Sequence, residues 1–457
     1  MSYAERMIQP SRIHKLNDHP VRKNGKFVLY WMQQSQRAEW NHALEYAIER
    51  ANELDLPVVV VFGLMDDYPE ANERHYAFML QGLEDVFQTL EKRGIAAFIG
   101  RGHPAEVAIE AGQKAALIVC DMGYLRHQAE WRTRVADESG CEVVEVESDV
   151  VVPVETASDK PEYMARTIRL KLLKHLDEFL QPVQKIKPRM GANGREFFQT
   201  LERKIPDLGK LKLDRSVGSV DCFKGGTSEA KRRLKQFIKN SLAVYSDHSN
   251  QPQTDDVSAM SLYLHFGQIS PLYIAQEILN SDADKEAKDA YIEQLVVRRE
   301  LAMNFCWFTP DYDQRSCLPD WALKTLKDHA GDQREFIYSR EEFEQSQTHD
   351  PYWNAAMTEM RVTGTMHNYM RMYWGKKILE WSPSPEEAFE TLLAINNKYF
   401  IDGRDPNSYA GVAWVFGKHD TAWAERPVFG KTRYMNANGL KRKCDINAYV
   451  EKVKRMG

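Results

Sequence analysis

Between residues 27 and 155 short apolar runs recur at near-regular intervals: FVLYWM, PVVVVFGL, IAAFIG, ALIVCDMG and CEVVEVE, each separated from the next by a stretch of helical period. Runs of this length bounded by helical text predict strands of a parallel sheet covered on both faces, which is a Rossmann-like α/β domain over 25–155. The first run leads into MQQSQRAEW and not into a glycine-rich turn, so no dinucleotide is expected in the usual Rossmann position. Residues 156–227 hold one helical stretch, SDKPEYMARTIRLKLLKHLDEFL, followed by basic text containing Pro and Gly without a clear period, and are predicted to connect two domains. From 228 onward the strand signal disappears. SEAKRRLKQFIKNSL, SLYLHFGQISPLYIAQEIL, AYIEQLVVRRELAMNFCWF, HNYMRMYWGKKILEW and PEEAFETLLAINNKYF predict an all-helical domain over 228–457, with helix stops expected at Pro271, Pro310, Pro351 and Pro383.

The 457 residues suffice for two or three domains with their own cores, and no apolar run is long enough to cross a bilayer. A cytoplasmic protein without a membrane partner is expected. Its six cysteines form no CxxC or Cys/His cluster, which argues against a disulfide framework or a metal site. A net charge of -5 opposes a chain coated for nucleic acid, but the balance reverses locally. From residue 421, nine basic residues including Lys441, Arg442 and Lys443 stand against Glu425, Asp445 and Glu451. That run suits phosphate contacts as well as it suits a solvated surface.

Candidate chemistry concentrates in the helical half. HNYMRMYWGKKILEW carries polar and aromatic residues where a core helix would carry leucines. Trp374 and Trp381 are seven residues apart, so their rings share one face about 10 Å from each other along the axis. Asp256, Ser258 and Ser261 are expected to precede the helix LYLHFGQIS, where hydroxyls and free N–H groups can cap the helix or hold a phosphate. At least one charge of Arg298, Arg299 and Glu300 should be buried, and its partner is expected to be an anionic ligand or a carboxylate such as Asp402. Asn368, Arg371 and the loop DGRDPNSYAGVAW add further polar groups beside Trp414. Together they predict a deep polar cavity ringed by indoles, suited to a large aromatic cofactor with a phosphate tail.

The same residues carry a family resemblance. ASDKPEYMARTIR, VVRRELAMNFC, THDPYWNAA, MRMYWGKKILEWSPSPEEA, DGRDPNSYAG and WAERPVFGKTRYMN resemble class II cyclobutane pyrimidine dimer photolyases of the photolyase and cryptochrome family, and the likeness spans nearly the whole chain. The resemblance implies an N-terminal α/β domain, a C-terminal helical FAD domain, and light-driven repair of UV-damaged DNA by a monomer. It also allows a second, antenna chromophore of unspecified kind. Residue by residue, it implies that Tyr245, Ser258, Met260 and Ser261 hold the FAD phosphates and that Arg298 and Asn368 make further flavin contacts. Arg371 and Asp402 resemble the ion pair beside the isoalloxazine, and Asn396 the asparagine near its N5. Trp374, Trp353 and Trp381 match the tryptophan chain from the flavin outward; Asn250, Met372 and Trp414 match the lesion pocket, and Lys441, Arg442 and Lys443 suit its DNA.

Two positions depart from the family pattern. Ser249 stands where the family has arginine, and its Glu-Glu-Leu segment reads Glu293, Gln294, Leu295 here. On an α-helix adjacent residues point about 100° apart, so only one of the first two faces the pocket; Glu293 is the expected functional group. The competing functional class is a cryptochrome-like blue-light receptor with the same flavin and tryptophan chain. The chain ends soon after AYVEKVKRMG, without a long extension, which favours the enzyme.

Overall fold

The computed structural model describes residues 8–191 and 194–456. Among these residues one sheet forms, from β1 (Ile13–Lys15), β2 (Phe27–Met32), β3 (Val58–Leu64), β4 (Ala96–Arg101), β5 (Ala115–Asp121) and β6 (Glu142–Val146). The order across the sheet is β1-β6-β5-β2-β3-β4, parallel throughout except for β1. The antiparallel β1 extends the sheet ahead of residue 25, where the apolar pattern starts it. At three residues with partly exposed side chains, β1 is too short and too polar to register as an apolar run.

Strand residues of alternating parity enter two separate cores. Val28, Tyr30 and Met32 pack with Leu44, Ile48, Leu80 and Leu83, whereas Phe27, Leu29 and Trp31 pack with Ala105, Ala108 and Val135. Both faces are therefore covered by helices, the condition that makes the strand sequences continuously apolar. After helix Ala165–Phe179 the chain runs without long elements to Thr227. It is not detached from the sheet, for Glu202 pairs with Ile99 on the outer strand β4.

The remaining chain folds as helices around the central helix Asn368–Trp381. Its neighbours are the helices Pro351–Thr363, Pro385–Tyr399 and Pro406–Val415. Pro310 and Pro383 follow helix ends as expected, but Pro271 and Pro351 open helices instead of stopping them. Each occupies the first turn, where the N–H that proline lacks has no intrahelical partner to lose. Asp350 caps the Pro351 helix by accepting from the N–H groups of Tyr352 (2.8 Å) and Trp353 (3.1 Å). Among the described residues no helix is long and apolar enough to cross a membrane.

Buried charges join the sheet to the helices. Asp149, which follows β6, accepts from Arg37 at 3.3 Å and from Arg299 at 3.3 Å, and Glu300 accepts from the N–H groups of Val151 (2.6 Å) and Val152 (3.2 Å). The expected partner Asp402 is not the one used: Arg299 and Glu300 face the α/β part, a contact distant in sequence. Gly267 lies in the left-handed region, and a Cβ there would stand 2.0 Å from the Gln34 carbonyl oxygen, so the two parts meet where only glycine fits. On helix Glu73–Lys92, the Arg74 guanidinium donates to the carbonyls of Met360 (3.0 Å), Arg361 (2.6 Å), Tyr399 (2.8 Å) and Gly218 (3.2 Å). Three of those carbonyls belong to ends of helices that line the site described below. Arg74→Ala should therefore cost about 3 kcal/mol or more of stability, read as a lowered urea midpoint with the far-UV spectrum of the native state unchanged.

Candidate functional site

The helices enclose a cavity of about 940 Å³. Its inner wall is one face of the central helix, which presents Asn368, Arg371, Met372 and Trp374, and the helix start is capped by His367 through the Tyr369 N–H at 3.2 Å. That bond requires the unprotonated Nδ1, and burial pushes the His367 imidazole down to about 4, so its proton sits on Nε2 at neutral pH. His367 Nε2 and Trp374 Nε1 are both buried without a hydrogen-bond partner, and both residues line the cavity. Neither nitrogen is itself open to the cavity, so both lie within its wall. A flavin, with carbonyl and ring-nitrogen acceptors and a flat ring, fits a cavity of this volume walled by Asn368, Arg371 and Trp374.

The same wall carries the predicted ion pair. Arg371 Nη2 lies 2.9 and 3.1 Å from the two Asp402 oxygens, and the guanidinium stacks 3.8 Å from the centre of the Phe400 ring. Asp402 is buried and Arg371 half-buried, so the pair holds a fixed charge at the cavity edge. Asn396 lines the same cavity, as do Tyr245, Ser258, Met260, Ser261, Arg298, Asn250, Ser249 and Trp414. The phosphate segment is not an ordinary cap. Asp256 is taken by His248 at 2.7 Å, Ser258 accepts from the Tyr291 hydroxyl at 2.9 Å, and the residue opening the helix Met260–His265 is Ala259 in a left-handed conformation. Ser261 falls inside that helix and does not precede it.

Trp353 and Trp381 do not line the cavity; they continue outward from Trp374. Trp353 lies parallel to Trp374 with ring centres 6.5 Å apart at 18°, and Trp381 lies 6.2 Å beyond it at 64°. Trp353 comes from the Pro351 helix, and its indole N–H donates 3.0 Å to the Trp374 carbonyl. Beyond Trp381 stand half-buried Tyr338 at 5.9 Å and exposed His349 at 4.9 Å. The three indoles thus form one line of ring contacts from the cavity toward the surface.

The expectation for Glu293 is overturned. Its carboxylate pairs with Arg169 at 2.7 and 2.9 Å and with Arg298 at 3.2 Å, outside the cavity, and Gln294 is the residue that lines it. Burial raises the Glu293 carboxyl, but the two guanidiniums outweigh it and hold the group below its usual range. One of the two adjacent residues does face the cavity and the other does not, as their angular spacing requires; the pair lies at the start of a π-turn, Glu293–Arg298, inside a longer helix. A π-turn inserts a residue and rotates everything around it, a feature the residue types alone do not signal.

Trp414, half-buried, has the Lys376 amine 5.4 Å and the Arg433 guanidinium 5.4 Å from its ring centre. Arg433 also lies 4.4 Å from the ring of exposed Trp423. Arg433 is one of the nine basic residues of the C-terminal run; Trp423 was not singled out from sequence, although WAERPVFGKTRYMN contains both. Lys376 is fully buried, donates to the Val415 carbonyl, and is pushed down to about 7 by burial. Lys441, Arg442 and Lys443 are exposed at the end of the helix Ala437–Lys443, outside the cavity. The Lys443 carbonyl accepts from Gln251 at 3.1 Å, so that helix end abuts the loop carrying Ser249 and Asn250. A second, smaller cavity lies at the carboxyl ends of β2 and β3, lined by Gln33, Gln34, Tyr68, His75 and Trp131 and closed by His265 and Arg404 from the helical part.

Comparison with known proteins agrees with this geometry. The family model described as DNA photolyase matches residues 28–189. The deoxyribodipyrimidine photo-lyase of Methanothermobacter thermautotrophicus is 49% identical over 98% of this chain and 99% of its own length, and that of Arabidopsis thaliana is 39% identical over 98% and 94%. A class III photolyase of Agrobacterium tumefaciens shares the fold, with a TM-score of 0.73 over 94% of this chain and 86% of its own at 19% identity. By full-length identity to its relatives, the chain belongs to the DNA photolyase family.

Proposed function

We propose that the protein is a deoxyribodipyrimidine photo-lyase of class II that binds FAD in the large cavity and repairs cyclobutane pyrimidine dimers in DNA under light. The observation that carries the reading is that a single cavity is lined by the Arg371–Asp402 pair, by Asn396, and by Trp374 at the inner end of the indole line. Assignment to class II rests on the MRMYWGKKILEW and DGRDPNSYAG text. The smaller cavity is the place the α/β part offers an antenna pigment. No specific observation favours the light-receptor alternative.

Bound, fully reduced FAD supplies on excitation the electron that opens the cyclobutane ring and takes it back afterwards. The chain's own residues do the rest. Arg371 and Asp402 set the electrostatic surroundings of the flavin, and Asn368 and Asn396 offer it polar groups from the cavity wall. A dimer extruded from the duplex, at an unstacking cost of a few kcal/mol that damage lowers, stacks on Trp414 between Asn250 and Met372. Gln294 donates its amide N–H to a pyrimidine carbonyl, the bond an acid supplies only when protonated. Lys441, Arg442 and Lys443 hold phosphates beside the cavity mouth. Trp381, Trp353 and Trp374 pass electrons inward by ring contact. A blue-light assay with reduced protein on an oligonucleotide carrying one thymine dimer tests the reading: repair in light and none in the dark is expected, and a protein inert in both would end it.

Three outcomes follow from the placements. Trp374→Phe should retain FAD and repair by pre-reduced enzyme, yet lose photoreduction of the oxidised flavin by at least about tenfold, followed as bleaching of the flavin absorption. Gln294→Ala should weaken lesion binding by about 1 kcal/mol, with Gln294→Glu not exceeding wild type at neutral pH, while Glu293→Ala changes only stability; equal lesion affinity in Gln294→Ala and wild type, by filter binding, would return the role to another residue. Replacing Lys441, Arg442 and Lys443 with alanine should reduce the slope of log affinity against log salt by up to about 3 and spare the preference for damaged over undamaged duplex.

A further inference from the structure

The amide of Asn396 has two faces of opposite chemistry, a carbonyl oxygen that accepts and an NH2 that donates, and which one meets the cavity is decided outside the cavity. Its neighbour Asn397 is fully buried and makes three contacts. Asn397 Oδ1 accepts from the backbone N–H of Arg404 at 3.1 Å, and Nδ2 lies 2.6 Å from Glu70 Oε2. A backbone N–H can only donate and a carboxylate can only accept, so these two partners admit one orientation of the Asn397 amide. Oδ1 of Asn397 then lies 2.9 Å from the Asn396 side-chain nitrogen, and an oxygen acceptor there requires that atom to be the NH2. The carbonyl oxygen of Asn396 is what remains for the cavity the residue lines.

The lock is built from distant parts of the chain. Glu70 belongs to the loop between β3 and the helix Glu73–Lys92, and Arg404 follows a turn pressed onto the end of the Pro385 helix. A Cβ at Gly403 would stand 2.9 Å from the carbonyl oxygens of both Asn396 and Phe400, and Arg404 itself returns a 2.8 Å bond to the Asn397 carbonyl. The turn therefore cannot drift away from the Asn397 amide without breaking contacts on both sides.

We propose that Asn397, held between Glu70 and the backbone N–H of Arg404, is a positioning residue that turns the Asn396 carbonyl oxygen toward flavin N5 and thereby favours N5 in its protonated form after one-electron reduction. The inference rests on the reading of the large cavity as a flavin site and deepens it. An oxygen at this position accepts from N5–H; an NH2 in its place would donate to a bare N5 and favour the opposite state. Glu70, on the α/β part and exposed at the surface, thus takes part in selecting the protonation state of a cofactor bound in the helical part.

The experiment uses FAD-loaded full-length protein, reduced by one electron under anaerobic conditions, with the neutral and anionic flavin forms resolved by visible absorption. Asn397→Leu removes both anchors without adding charge, and should lower the neutral-to-anionic ratio about fivefold to tenfold, the scale of one net hydrogen bond. Asn397→Asp keeps the oxygen facing Arg404 and Asn396 but turns a second oxygen onto the Glu70 carboxylate, so it should shift the ratio in the same direction. Adding Glu70→Gln, whose NH2 can donate to that oxygen, should bring the ratio back to within about twofold of wild type. If Asn397→Leu does not fold, the Asp variant and its Gln partner decide. A wild-type ratio in FAD-bound Asn397→Leu or Asn397→Asp, or no recovery in the double variant, overturns the lock and leaves the flavin reading standing. Wild-type protein that releases no flavin on heating would instead remove the reading beneath it.

Discussion

Asp149 sits fully buried between two guanidiniums, and the rest of the molecule is arranged around satisfying it. Arg37 comes from the loop after β2, Arg299 from the helix that borders the large cavity, and Gln34 adds a third contact at 3.2 Å. A buried carboxylate with one partner removed costs several kcal/mol, so the α/β and helical parts cannot separate without exposing or orphaning these groups. The contact is also directional. Apolar surfaces slide with little penalty, whereas Arg37, which also donates to Ser148 and Gly267, admits one register between the two parts. That register places Glu70 against Asn397 and closes the smaller cavity with His265 and Arg404.

A cavity of this size is a liability for a helical bundle, since its lining forgoes the packing that normally stabilises helices. Here the surrounding helices are held by polar contacts at their ends. Arg74 binds the carbonyls of two of them, Lys376 reaches the Val415 carbonyl at the end of a third, and the Tyr449 hydroxyl meets buried Glu359 at 2.5 Å. Such contacts anchor helices by their termini and leave their inner faces free for a ligand, which apolar packing across the middle would have filled.

The strands, the change from sheet to helices and the central helix were legible because each leaves a local signature, an apolar run, a helical period, or misplaced polar groups on a buried face, whereas cavity residues such as Tyr245, Asn250 and Asn396 were reached only through the family resemblance. What was not legible depends on geometry beyond any local window. The partner of Arg299 lies 150 positions away, whereas the two prolines that open helices do carry a local mark, since Asp350 and Ser270 before them are favoured N-cap types. Glu293 and Gln294 are adjacent, and their angular spacing admits one of them to the cavity without deciding which. No residue in EQLVVR marks the π-turn at whose start they lie.

The indole line shows how a sequence spacing becomes a path only through a second element. Trp374 and Trp381, two turns apart on one helix, are separated along its axis by about 10 Å, too far for ring contact. Trp353 fills that interval from the neighbouring helix, at 6.5 and 6.2 Å from the two rings. Its position is set at both ends. The indole N–H binds the Trp374 carbonyl, and the start of its helix is capped by Asp350, whose other oxygen accepts from Tyr373 on the central helix. Tyr373 is thus placed by the same helix that carries Trp374, and it fixes the helix that carries Trp353. The distance between the first two indoles is determined by hydrogen bonds and caps rather than by the softer contacts of their rings.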